Sequence, residues 1–211
     1  MSRIGIKICG VTTPEAIDAS VRGGASHVGL NFFRKSPRYL SPDRLALIAP
    51  RIPGHVKRVA VLVDPDDLLI DTVIGGGINV LQLHGREDPG RVAAIRARTG
   101  LETWKVISVK TAADLAGGSA YAGAADFLLY DAKTPDDAAL PGGMGMRFDW
   151  TLLAGHRAPL PWGLSGGLDP DNVAEAVRLT HAPLVDVSSG VESAPGVKDV
   201  DKIAAFCKAV P

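Results

Sequence analysis

The chain has 211 residues, 46% of them hydrophobic and 22% charged, the balance of a globular protein with a sizeable core. Its 23 Lys and Arg residues equal its 23 Asp and Glu residues, which argues against nucleic-acid or membrane-surface partners, although a small anion site needs only local positive potential. No apolar run approaches a membrane span, and the first strand begins too early to leave room for a signal peptide. Two distant cysteines, Cys9 and Cys207, make no disulfide framework or metal spacing, so a cytoplasmic protein with reduced thiols is expected.

Strand-like runs alternate with helical patterns from end to end. The pattern predicts strands over Arg3–Cys9, His27–Phe33, Lys57–Val63, Asn79–Leu83, Glu102–Ile107, Asp126–Asp131, Pro161–Ser165 and Pro183–Val187. Helices are expected over Pro14–Arg22, Pro42–Ala49, Asp66–Ile74, Asp88–Arg98, Thr111–Ala116, Asp149–Ala154, Pro170–Leu179 and Lys198–Ala209. Eight strand-helix pairs imply parallel pairing through right-handed crossovers, and eight is the number that closes a (β/α)₈ TIM barrel. An open doubly wound sheet is the alternative, but it favours a glycine-rich turn after the first strand, whereas the glycine turns here come late. With no linker, repeat or low-complexity tract, residues 1–211 read as a single barrel domain.

Three connections exceed ordinary barrel loops: Arg34–Ser41, Ala132–Phe148 and Ser188–Val197. All follow strands, and so lie on the face where barrel enzymes place their sites. The middle one holds Gly142, Gly143 and Gly145, and its length and glycine content suit a lid over a bound ligand. After the seventh strand, Gly166 and Gly167 allow close backbone approach to a ligand, and Pro170 is placed to open a helix whose N-terminus favours an anion. Ser188-Ser189-Gly190 repeats that grammar after the eighth strand. Each turn alone reads equally well as an ordinary strand-to-helix turn; together they predict a phosphate site after strands seven and eight.

Strand parity sorts side chains into barrel and helix faces. Ile4, Ile6 and Ile8 share the helix face, which turns Arg3, Gly5, Lys7 and Cys9 inward. The same reasoning places Asn31, Gln82, Asp131 and Asp186 inside. Cys9 and Asp131 close their predicted strands, so a thiol and a carboxyl group flank one pocket.

The ordered set Lys7-Ile8-Cys9-Gly10, Ser36-Pro37-Arg38-Tyr39, Leu81-Gln82-Leu83-His84-Gly85, Asp131 with Lys133-Thr134, Gly142-Gly143-Met144-Gly145, Leu164-Ser165-Gly166-Gly167-Leu168 and Asp186-Val187-Ser188-Ser189-Gly190-Val191-Glu192 resembles the phosphoribosylanthranilate isomerase family of tryptophan biosynthesis. The resemblance implies an Amadori rearrangement of a phosphosugar substrate without metal or cofactor, in a monomer or a homodimer. It implies Asp131 as the general acid that opens the furanose ring and Cys9 as the base that removes the C2′ proton. Arg38 is implied to hold the anthranilate carboxylate. Asp186 either contacts the bridging amine or pairs with Lys7. Phosphate ligands are expected among Gly143, Gly145, Gly166, Gly167, Ser188, Ser189 and Gly190, with Lys7 and Gln82 in support. Lys7 also offers a charge that could stabilise a Cys9 thiolate.

One departure is Met144, where the family usually has a serine or threonine. His84 has no assigned role and reads as structural; His27, His55, His156 and His181 read as surface or turn residues. Rival readings are another phosphosugar barrel, such as indole-glycerol-phosphate synthase or a ribulose-phosphate epimerase, and a non-catalytic phosphosugar-binding module. The synthase would want an inward lysine as acid, and the epimerase a metal with histidine ligands. Cys9 in place of a catalytic aspartate argues against activity on the related histidine-pathway substrate.

Overall fold

The computed structural model describes residues 4–134, 142 and 145–211. Eight parallel strands close into a barrel: β1 (Gly5–Cys9), β2 (His27–Asn31), β3 (Lys57–Leu62), β4 (Val80–Leu83), β5 (Glu102–Val109), β6 (Phe127–Ala132), β7 (Trp162–Leu164) and β8 (Leu184–Val187). Each pairs with its sequence neighbours, and β1 returns to β8 with Lys7 opposite Asp186. The connecting α-helices are α1 (Pro14–Arg22), α2 (Pro42–Ile48), α3 (Asp67–Gly75), α4 (Pro89–Thr99), α5 (Ala112–Ala116), α6 (Val173–Thr180) and α7 (Val200–Ala209). Thr13, Ser41 and Asp88 cap α1, α2 and α4 through their side chains, each with a proline at the start of the helix.

The predicted elements appear in the predicted order, with four differences. The expected helix over Asp149–Ala154 is a single 3₁₀ turn, Trp150–Leu153. Pro170 does not open α6. Asp169 Oδ1 accepts from the backbone N–H groups of Asp171 and Asn172, a side-chain turn that holds Pro170 outside the helix until Val173. The final helix starts at Val200 because Asp199 caps it, accepting from Asp201 and Lys202 N–H groups. Lys198 instead joins a small hairpin, β9 (Glu192–Ala194) with β10 (Val197–Lys198), inside the segment expected to be a loop. Arg3, expected to face inward, lies outside the described residues.

Alternation fills the barrel as the parity predicts. Val59, Val80, Trp104, Val106, Leu129 and Leu184 form one inward cluster, separate from the larger core between sheet and helices. Trp104 stacks on Phe127 with ring centroids 4.4 Å apart and tilts against His27 at 5.1 Å. His27 thus belongs to the barrel floor, not the outer surface. This apolar layer seals the lower barrel and leaves the polar inward residues at the upper, C-terminal end.

Candidate active site

A cavity of about 800 Å³, counted out to its open mouth, occupies that upper end. Cys9 from β1, Asn31 from β2, Gln82 from β4, Asp131 from β6 and Asp186 from β8 all line it. Five of the inward residues inferred from parity therefore converge on one site.

Around Cys9, small residues make the room. A Cβ on Gly29 of the neighbouring strand would stand 2.8 Å from Cys9 Sγ. Gly10 has φ +74°, and a Cβ there would lie 2.6 Å from Cδ of Arg38, so glycine permits both the turn and the crossing arginine. Lys7 is fully buried and donates to Asp186 Oδ1 at 2.8 Å, while Asp186 Oδ2 accepts from Ser165 Oγ at 3.3 Å. Asp186 both pairs with Lys7 and faces the cavity.

Burial would pull the Lys7 pKa down, but the neighbouring Asp186 and Cys9 outweigh it and hold the ammonium above its usual range. Burial pushes the Cys9 thiol up, aided by Asp186, and the positive charges of Lys7 and Lys198 do not offset it. The expectation that Lys7 prepares a thiolate thus meets a counterweight: the lysine is already engaged by a carboxylate, and the thiol is dry.

Across the mouth, Asp131 is buried, and its Oδ1 accepts from Ala132 N–H at 2.9 Å. Its Oδ2 lies 3.4 Å from His84 Nε2, close enough for an ion pair but not aligned as a hydrogen bond. Gly142 packs over this pair, since a Cβ there would come within 2.7 Å of both Asp131 Oδ2 and the His84 ring. The turn that follows His84 is held at Gly85 by a buried brace behind β4. Glu87 accepts from Lys105 Nζ at 2.7 Å and from Asp64 N–H at 2.8 Å, and Lys105 donates to the Gly85 carbonyl at 2.8 Å.

At the β7 and β8 side, Gly166 and Gly167 adopt φ +90° and +65° and line the cavity with Gly145, Ser188 and Ser189. A Cβ on Gly166 would lie 2.6 Å from the Ala132 nitrogen. The α6 N-terminus is not part of this wall; Asn172 Nδ2 donates to the Gly167 carbonyl at 2.9 Å and separates the two. Gly190 sits behind the rim, where a Cβ would run into the Leu168 carbonyl. Residues 135–141 of the expected lid, with Gly143 and Met144, lie outside the described residues.

Arg38 is buried, unlike the exposed Arg34 and Lys35 beside it. It reaches the cavity while gripping Glu192. His84, Glu192 and Lys198 are among the polar residues here to which the sequence assigns no role. Glu192 stood inside a quoted motif; Lys198 was hidden by its assignment to the last helix. Among the described residues, no group of three or more His, Cys, Asp or Glu side chains is arranged to hold a metal ion.

A closed (β/α)₈ barrel with a thiol, a carboxyl group and a glycine-lined rim at the C-terminal ends of its strands defines a barrel enzyme of small, polar ligands. The family model for N-(5′-phosphoribosyl)anthranilate (PRA) isomerase matches residues 6–209. The chain belongs to that family. It is 53% identical over 206 residues to the N-(5′-phosphoribosyl)anthranilate isomerase of Zymomonas mobilis subsp. pomaceae, covering 97% of this chain and 96% of the relative. The corresponding protein of Paramagnetospirillum magneticum is 54% identical over 207 residues, covering 98% and 96%. Among solved structures, the phosphoribosyl anthranilate isomerase of Thermotoga maritima superposes with a TM-score of 0.88 at 36% identity, over 98% of each chain. A phosphoribosyl anthranilate isomerase in complex with reduced 1-(o-carboxyphenylamino)-1-deoxyribulose 5-phosphate superposes at 0.85, with 34% identity over 98% of each chain.

Proposed function

We propose that this chain isomerises N-(5′-phosphoribosyl)anthranilate to 1-(2-carboxyphenylamino)-1-deoxyribulose 5-phosphate in tryptophan biosynthesis, as one barrel domain. Family membership over nearly the whole chain carries the reading. Asp131 gives a proton to the furanose ring oxygen as the C1′–O bond breaks, leaving an iminium at C1′. Cys9 takes the C2′ proton, and its electron pair forms the C1′–C2′ double bond of an enolamine. The enol hydroxyl then becomes the C2′ ketone as a proton is added at C1′, so no atom is gained or lost. Support for these roles is positional: both groups line one cavity, from opposite parts of the barrel mouth.

Arg38 receives the anthranilate carboxylate on the edge of its guanidinium that Glu192 leaves open. Asp186 faces the bridging amine while Lys7 holds it in place. The phosphate lies against Gly145, Gly166, Gly167, Ser188 and Ser189; Gly190, behind the rim, and Gly143, outside the described residues, are further candidates. Gln82 supports the sugar from the cavity floor. The substrate is the only partner this chemistry needs, whether one copy or two assemble, and a cytoplasmic site of action suits two reduced cysteines.

The test is direct. Phosphoribosylanthranilate generated in situ loses its anthranilate-type fluorescence when the protein is added, without added metal. Unchanged decay together with tight binding of a phosphosugar would make the protein a binding module instead.

A further inference from the structure

Arg38 is held by groups that the reaction as proposed does not use. Its Nε and Nη2 donate to the two oxygens of Glu192 at 2.7 and 2.8 Å. Glu192 Oε1 accepts again from Lys198 Nζ at 2.7 Å, and its Oε2 accepts from Gly196 N–H at 3.2 Å. Lys198 also donates to the Ser188 carbonyl at 2.9 Å, at the root of the rim turn after β8. All three charged side chains are buried. The hairpin exists in the register that makes this possible, with Lys198 opposite Glu192. It docks on the Arg38 loop so closely that a Cβ on Gly196 would run into the Pro37 carbonyl.

The charges do not balance. Two cations share one carboxylate, and Asp186, which lines the same cavity as Arg38, is already engaged by Lys7. A buried excess charge is costly unless something answers it. Arg38 lines the cavity and its Nη1 is not used by Glu192, so a ligand in the cavity can supply the answering group.

We propose that Glu192 and Lys198 are positioning residues for the substrate carboxylate: Glu192 holds Arg38 by its inner edge, and Lys198 keeps that corner one charge positive until the carboxylate neutralises it. The proposal rests on Arg38 being the carboxylate-binding residue. Lys198 therefore acts through charge and through Glu192, without touching the ligand.

Calorimetric titration with two product analogues separates this role from a structural one. One is the reduced 2-carboxyphenylamino deoxyribulose phosphate; the other carries a plain phenylamino group. In Lys198→Met and Glu192→Gln, affinity for the carboxylated analogue falls roughly 10- to 100-fold, the scale of a charged hydrogen-bonding partner. Affinity for the phenylamino analogue stays within about twofold in both, which also certifies that the variants fold. Lys198→Arg recovers most of the loss. Equal weakening of both analogues, or of neither, overturns the proposal and leaves the hairpin a simple strut. If wild type does not distinguish the analogues, or Arg38→Ala costs the carboxylated one nothing, the Arg38 assignment itself falls and takes the proposal with it.

Discussion

Cys9 and Asp131 carry the sharpest expectations at the scale of single residues. Cys9→Ala and Asp131→Asn each lower kcat by roughly two to four orders of magnitude, while binding of a product analogue survives. A variant that keeps a tenth of wild-type kcat loses its assigned role. Gln82 allows a different kind of test. Its side chain is 1% exposed, and its carboxamide oxygen has no hydrogen-bond partner among the described residues although it borders the cavity. A buried acceptor left unpaired costs on the order of 1–3 kcal/mol, and native proteins rarely keep one without a use. Gln82→Leu removes that cost, so its melting temperature rises while kcat/KM falls by about tenfold or more through the lost contact to the sugar. A stabler variant with full activity shows that the amide does not touch substrate.

The elements explain what could be read from the chain and what could not. Strand parity located Lys7, Asn31, Gln82, Asp131 and Asp186 because it depends only on a two-residue alternation, which a closed barrel does not disturb. The start of α6 was misread because the side chains of Asp169 and Asn172 satisfy each other's backbone and outcompete Pro170 as a helix opener. The β9–β10 hairpin was invisible for another reason: three residues pairing with two carry too little pattern, and a buried Glu–Lys–Arg contact reveals itself only in space. Lys105 and Glu87 are a second such case, 4% and 2% exposed, bracing the loop that carries His84. Glu87→Ala strands the lysine charge and releases the Asp64 and Gly85 N–H groups. It should cost about 3–5 kcal/mol in urea unfolding. A loss below about 1 kcal/mol shows that water reaches Lys105 and that the brace is dispensable.

At the scale of the whole molecule, one source of acid sensitivity lies at the barrel floor. Burial, with the charges of Lys7 and Lys57, lowers the His27 pKa from 6.5 to about 4. The unfolded chain therefore takes up this proton as pH falls below 6.5, while the folded chain resists until about 4. Stability present above that window is lost within it as pH drops. The melting temperature of His27→Gln should fall less steeply across the same range than that of wild type. Parallel slopes assign the acid sensitivity to other groups.

The pairing of Lys7 with Asp186 joins residues 179 positions apart. During synthesis on the ribosome, the lysine emerges with the first strand and its anion arrives with the last. An early set of strands that closed on itself would have to bury a bare ammonium. The nascent sheet is thus discouraged from sealing prematurely, and the penalty lifts only when β8 is delivered. The same timing governs the thiol, since Cys9 gains the Ser188 hydroxyl on its carbonyl and the Lys198 charge beside it only from the last strand and the hairpin that follows. The corner around Cys9 is therefore assembled only once β8 and the β9–β10 hairpin are in place.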